Sequence, residues 1–185
     1  YGFFSRKYGL TCDSLLRVKM IDYKGNTIDS DLDKDLLWAC KGGGNGNFGV
    51  ITEMYFKTYK APLSFSSYRL KFSNLTENKF IQLIKLWFQS TENIPHEAFS
   101  AFVLNGNFLT ILFTNFSESQ SDFEKQFSKL IALATNYKKT PNRNLSTALK
   151  GYYGVKEPIY FKNASEGLYQ SINDIEKGLS NLYRD

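Results

Sequence analysis

The strongest constraint on the fold is the order in which the hydrophobic period changes between residues 64 and 135. "SFSSYRLKF" (64–72) alternates like a strand, and "TENKFIQLIKLWFQST" (76–91) carries Phe80, Ile81, Ile84, Leu86 and Trp87 at helical spacing. "AFSAFVLNG" and "NFLTILFTN" then read as a hairpin across Asn105 and Gly106. "SESQSDFEKQFSKLIALAT" (117–135) predicts a second helix, capped by Ser117 or Ser119, with Phe123, Phe127, Leu130 and Ile131 on its apolar face. A strand-helix-strand-strand-helix order makes an antiparallel sheet with two helices on one face, an α+β layer. A last helix is expected within residues 165–183, after a loop-rich segment.

Upstream, "SLLRVKMID" (14–22) predicts a half-buried strand with Leu16, Val18 and Met20 inward and Arg17 and Lys19 outward. Tyr23-Lys24-Gly25-Asn26 reads as a turn, and "TIDS" as the returning strand. Asp31 or Asp33 is then placed to cap a helix carrying Leu36, Leu37, Trp38 and Ala39, which Gly42 ends. The alternating aspartates 29, 31, 33 and 35 do not form a calcium loop. Such a loop needs glycine at its sixth position and glutamate at its twelfth, where Lys34 and Cys40 stand. "VITEMYFKTYKAP" is the next strand, closed by Pro62.

Between that helix and that strand lies "KGGGNGNFGV" (41–50), which contains G-x-G-x-x-G in Gly44, Gly46 and Gly49. A Rossmann turn must leave a strand and open a helix, so that the helix N-terminus meets the pyrophosphate. Here the glycines leave a helix and open a strand. A P-loop is excluded as well, because the chain has no Gly-Lys-Ser/Thr. Two uses remain open from the residues alone: a wide helix C-cap, or a loop whose backbone amides converge on a ligand.

Composition narrows the function classes. The net charge is +5, but Lys and Arg do not cluster in sequence, so charge gives no case for nucleic acid. Cys12 and Cys40 are too far apart for a CxxC motif and are expected to be reduced, buried thiols; His96 has no second histidine, so no metal site is expected. No apolar run is long enough to span a membrane. The opening Tyr1-Gly2-Phe3, without a methionine, suggests a piece of a longer protein.

The order "YGFFSRKYGLTCDSLLRVKMIDYKGNTI" and then "DKDLLWACKGGGNGNFGVITEMYFKTYKAP" resembles the FAD-linked oxidases of the vanillyl-alcohol oxidase and berberine-bridge-enzyme type, with their PCMH-type FAD-binding domain. The likeness is dense to residue 60 and looser afterwards, where it includes "PIYFKNASEGLY". It implies that residues 1–61 are the second α/β subdomain, the C-terminal portion, of an FAD-binding domain. Residues 62–185 would be an incomplete substrate-binding domain, an antiparallel sheet covered by helices. FAD is the implied cofactor; Tyr1 and Gly2 match the end of the pyrophosphate segment, and Gly46, Asn47, Phe48, Gly49, Val50 and Ile51 match a loop along the ADP half.

The implied reaction moves a hydride from a small alcohol, sugar or amine to the flavin, and electrons then pass to oxygen or another acceptor. The resemblance places the catalytic base beyond Asp185 and the flavin-linking His or Cys before Tyr1, so Cys12 is not that residue and no catalytic residue is named. Tyr68, Arg69, Phe102 and Asn105 lie on predicted strands that could face the flavin; packing is the commoner use of such positions. A noncatalytic α+β binding domain that no longer takes up cofactor is the alternative.

Overall fold

A computed structural model describes residues 2–44, 46–117, 123–150 and 175–184, and within them every strand pairing is antiparallel. The chain is a mixed α+β protein that divides into two units, Tyr1–Ala61 and Pro62–Asp185.

In the first unit, α1 (Ser5–Tyr8) and a 3₁₀ turn (Thr11–Ser14) precede β1 (Leu15–Ile21), which lies between β2 (Thr27–Asp29) and β3 (Val50–Phe56). The Asp22 carboxylate accepts from the amides of Lys24 and Asn26 at 2.9 and 2.8 Å, folding the β1–β2 turn by a local side-chain contact. α2 (Lys34–Cys40) is capped by Asp33, whose carboxylate accepts from the amides of Asp35 and Leu36 at 3.1 and 3.2 Å. Its Leu36 packs on Leu15, Val18 and Met20, with Ile28, Leu37 and Cys40 around them.

Leu16 and the two cysteines depart from the sequence reading, and Trp38 lies outside the core. Leu16 is 58% exposed and Leu15 takes its place in the core, because a register shift between Leu15 and Arg17 breaks the alternation. Trp38 is 80% exposed, because a helix of seven residues turns only one narrow stripe, centred on Leu36, toward the sheet. Cys12 and Cys40 are half-buried rather than buried.

The second unit has strand order β5-β6-β4-β7, with β4 at Phe65–Phe72, β5 at Ala98–Asn105, β6 at Phe108–Asn115 and β7 at Asn136–Arg143. Tyr68, Leu70 and Phe72 alternate onto one face, in register with Phe113, Ile111 and Leu109 of β6. Against that face lies α3 (Glu77–Thr91), capped by Thr76 and contributing Phe80, Leu83 and Ile84 to the core. Trp87 stays half-buried with its indole satisfied, donating to Ser100 Oγ at 2.7 Å. The hairpin turn is Gly106-Asn107, one position later than the sequence suggested, since Asn105 pairs with Phe108.

The predicted helix over 117–135 is two short ones, α4 (Phe123–Gln126) and α5 (Ser128–Leu133), broken at Phe127, whose ring is buried in the core. The Ser117 amide donates to the Asn115 side chain at 2.9 Å; residues 118–122, which include Ser119 and the approach to this helix, lie outside the described residues. After α6 (Leu145–Lys150), of the expected last helix, residues 175–183 fall within the described part, as α7 (Glu176–Arg184). It docks on α3 through buried Leu179, the Tyr183 ring at 5.6 Å from Phe80, and ion pairs Arg184 to Glu77 and Lys85 to Glu176.

β7 has no counterpart in the sequence reading. It carries lysines and Pro141 on an outer strand, where missing donors and charge are tolerated and discourage pairing with other chains.

Burial sets the first prediction. Phe113→Ala should lower unfolding free energy by about 3–5 kcal/mol in a urea titration, whereas Trp38→Ala should stay within about 0.5 kcal/mol.

Candidate cofactor-binding loop

The glycine loop is built by its two ends. As α2 stops, the Gly43 amide donates to the Ala39 carbonyl at 2.7 Å, and the Asn47 side chain donates back to the Gly43 carbonyl at 2.7 Å. A Cβ on Gly43 would lie 2.6 Å from the Ala39 oxygen and 2.8 Å from the Phe48 ring. At the other end Gly49 has φ +149°, and a Cβ there would stand 2.4 Å from the Ile21 carbonyl oxygen of β1. These two glycines are required by the protein's own packing.

Gly46 differs. It has φ +71°, yet no atom lies within 4 Å of where its Cβ would be. The amides of Gly46, Asn47, Phe48 and Gly49 make no hydrogen bond among the described residues. All four residues are exposed, next to apolar surface from Phe48 (40% exposed), Val50 (69%) and Ile51 (39%). No carboxylate occurs from Leu36 to Thr52, so nothing in the segment opposes an anionic ligand. Chemically, this arrangement can accept an oxygen-rich anion on its amides and a flat apolar group beside it.

Of the residues the sequence singled out, Gly46 through Ile51 are contiguous and exposed. Gly2 is not tied to them: its amide donates to Ser5 Oγ at 3.0 Å. Tyr1 lies outside the described residues. Tyr68 and Phe102 face the helices and serve packing, Phe102 lying 5.1 Å from the Trp87 ring, while Arg69 and Asn105 are exposed. "PIYFKNASEGLY" lies outside the described residues. Among the described residues there is no group of three metal-ligating side chains, and no helix is long and apolar enough to cross a membrane.

The aspartates that resembled a calcium loop have another use. Arg17 pairs with both Asp29 and Asp31, tying β1 to the residues that follow β2. The Arg17 hydrogen bond, helped by the Asp31 amide, holds the Asp29 carboxyl down at about 2. Lys19, Glu53 and Tyr55 form the neighbouring set across β1 and β3; there the Tyr55 hydroxyl and Lys19 keep the Glu53 carboxyl low.

No family model matches the chain. Over 64 residues, 34% of the chain, it is 48% identical to the uncharacterized FAD-linked oxidoreductase YvdP of Bacillus subtilis. Over 106 residues, 57% of the chain, it is 33% identical to berberine bridge enzyme-like 8 of Arabidopsis thaliana. The chain is related to the berberine bridge enzyme-like FAD-linked oxidoreductases. The matches cover only 14% and 20% of the length of those two relatives. The berberine bridge enzyme-like fold is shared with solved structures: xylooligosaccharide oxidase from Myceliophthora thermophila C1, solved with xylobiose, matches 85% of this chain at TM-score 0.70 and 20% identity. This chain covers 34% of that oxidase.

Two outcomes follow. Gly49→Ala should destabilise the first unit more than Gly46→Ala in thermal melts, because the former meets backbone and the latter only its own positive φ, about 1 kcal/mol. The Asp29 carboxyl is held below the usual carboxylate range, so its stabilisation is complete above about pH 4 and is lost as pH falls toward 2. Melting temperatures from pH 6 to 2 should fall less steeply in Asp29→Asn than in the wild type.

Proposed function

We propose that this chain forms part of an FAD-dependent oxidoreductase. Tyr1–Ala61 supplies the later portion of the FAD-binding domain, and Pro62–Asp185 supplies part of the substrate-binding domain. The observation that carries this reading is the run of four unpartnered amides at Gly46 to Gly49, in an exposed segment without carboxylates. The relationship to FAD-linked oxidoreductases supports the choice of ligand.

The residues present fit a dinucleotide. The open space at Gly46 lets a phosphate or ribose oxygen approach the backbone, and a side chain there would fill it. Phe48, Val50 and Ile51 offer apolar surface to the ADP half. Asn47 is engaged with the Gly43 carbonyl and so shapes the loop. Gly2 donates its amide to Ser5 Oγ and accepts from the Ser5 amide at its carbonyl, so it would meet the nucleotide only after those contacts rearrange. FAD, when bound, supplies the electron-accepting ring for a small alcohol, sugar or amine, with oxygen or another acceptor completing the turnover. The chain's own part is to hold the nucleotide end and to present to a substrate the face of the second unit's sheet that is turned away from α3.

The intact protein should be yellow, with a flavin band at roughly 450 nm, or should take up added FAD in a fluorescence titration. Gly46→Val should weaken that uptake by about tenfold or more, since a branched side chain blocks the approach. A colourless protein that takes up no FAD would overturn the proposal in favour of a noncatalytic binding domain.

A further inference from the structure

α1 is too short to stand alone. It has four residues, Ser5–Tyr8, none of them buried, and no side chain caps its start at Phe4. A first helical turn fixes about six backbone torsions for one hydrogen bond, so it persists where packing holds it. One contact reaches it from the far end of the unit. The Tyr8 ring lies on the Tyr59 ring, with 4.2 Å between centroids and 19° between planes. Lys7 Nζ stands 5.5 Å from the centre of the Tyr8 ring, and Lys57 Nζ stands 5.4 Å from that of Tyr59, which adds a cation to each ring.

Tyr59 is itself fixed. Its hydroxyl is 3.2 Å from Ser14 Oγ, and the Lys57 amide donates to the Ser14 carbonyl at 2.8 Å. Ser14 is buried and closes the 3₁₀ turn that leads into β1. Between α1 and that turn the chain is shaped locally: Gly9 has φ +78°, and the Asp13 carboxylate accepts from the Leu10 amide at 2.7 Å. Those contacts set where the chain goes, and the Tyr59 ring sets how α1 lies. Tyr59 is 41% exposed, so it adds little to the buried core of Leu15, Val18, Met20 and Leu36. Gly2 is carried on α1, its amide donating to Ser5 Oγ at 3.0 Å and its carbonyl accepting from the Ser5 amide at 3.1 Å.

We propose that Tyr59 is a positioning residue for nucleotide uptake. It acts through Tyr8 and α1, without touching the ligand. When the Gly2 and Ser5 contacts open to admit the nucleotide, they open on a helix that the stack keeps in place. Without the stack α1 spreads over more orientations, and apparent affinity falls with the fraction of chains that hold the competent one. The choice of ligand rests on the FAD reading above; the choice of residue rests on the stack.

Fluorescence titration with FAD of the intact protein, freed of bound flavin, compares the wild type with three variants. Tyr59→Leu should weaken uptake by ~5-fold, and Tyr59→Phe, which keeps the ring and loses only the Ser14 contact, should stay within ~2-fold of wild type. Val18→Ala opens the buried core of the same unit; it should lower the melting temperature at least as far as Tyr59→Leu, with uptake within ~2-fold of wild type. Hydrogen exchange needs no flavin. The amides of Tyr8 and Gly9 donate to the Phe4 and Ser5 carbonyls. They should exchange ~5-fold faster in Tyr59→Leu and at the wild-type rate in Tyr59→Phe. Absence of uptake by the wild type overturns the FAD reading and the positioning role together. With uptake present, the positioning role alone is overturned if Tyr59→Leu binds like the wild type, if Tyr59→Phe is as weak as Tyr59→Leu, if Val18→Ala weakens uptake equally, or if exchange at Tyr8 and Gly9 does not change.

Discussion

Tyr68, Leu70 and Phe72 leave β4 on one side, and Arg69 and Lys71 leave it on the other. A slip of one residue against β6 would exchange the two sets, exposing three large apolar side chains and burying two charges. The whole second unit depends on that register. It fixes where Phe113 and Ile111 stand, which side α3 and α5 must cover, and where α7 finds Leu75 and Phe80. It also means that the face turned away from α3 can be polar without cost to the core. Core packing and exposed charge thus sit on alternate residues of the same strand.

The first unit solves a smaller problem with fewer means. Its buried cluster is only Leu15, Val18, Met20 and Leu36, so polar ties along the other face of the sheet matter more. Arg17 with Asp29 and Asp31, and Lys19 with Glu53, hold β2 and β3 to β1. Exposed ties of this kind contribute little individually, and their value here is to fix register. Ile51, Met54 and Phe56 of β3 remain well exposed, beyond the reach of a helix as short as α2.

Much of this was legible in the sequence, and what was not has physical reasons. Periodicity located β1, β3, β4, the β5–β6 hairpin and α3, and of the two aspartates offered as the cap of α2 the structure uses Asp33. β7 was invisible because Lys138, Lys139 and Pro141 erase the apolar alternation, and an edge strand can dispense with it. The bulge at Leu16 inverts a face without altering composition. Phe123, Phe127, Leu130 and Ile131 keep helical spacing across the break between α4 and α5, so spacing alone reads one helix. In the loop, residue type revealed glycine but not its use. Gly43 and Gly49 are small because protein lies against them, whereas Gly46 is small with nothing against it, and that distinction exists only in three dimensions.

The closeness of Gly49 to the Ile21 carbonyl has a further consequence. With Gly43 fastened to the end of α2 and Gly49 pressed on the end of β1, both anchors of the loop form when the unit folds. Between them the Asn47 side chain ties back to the Gly43 carbonyl. A ligand that uses the amides of residues 46–49 therefore meets a pre-organised backbone and loses little chain entropy on arrival. Enlarging either anchor glycine would loosen the site without touching a single ligand contact.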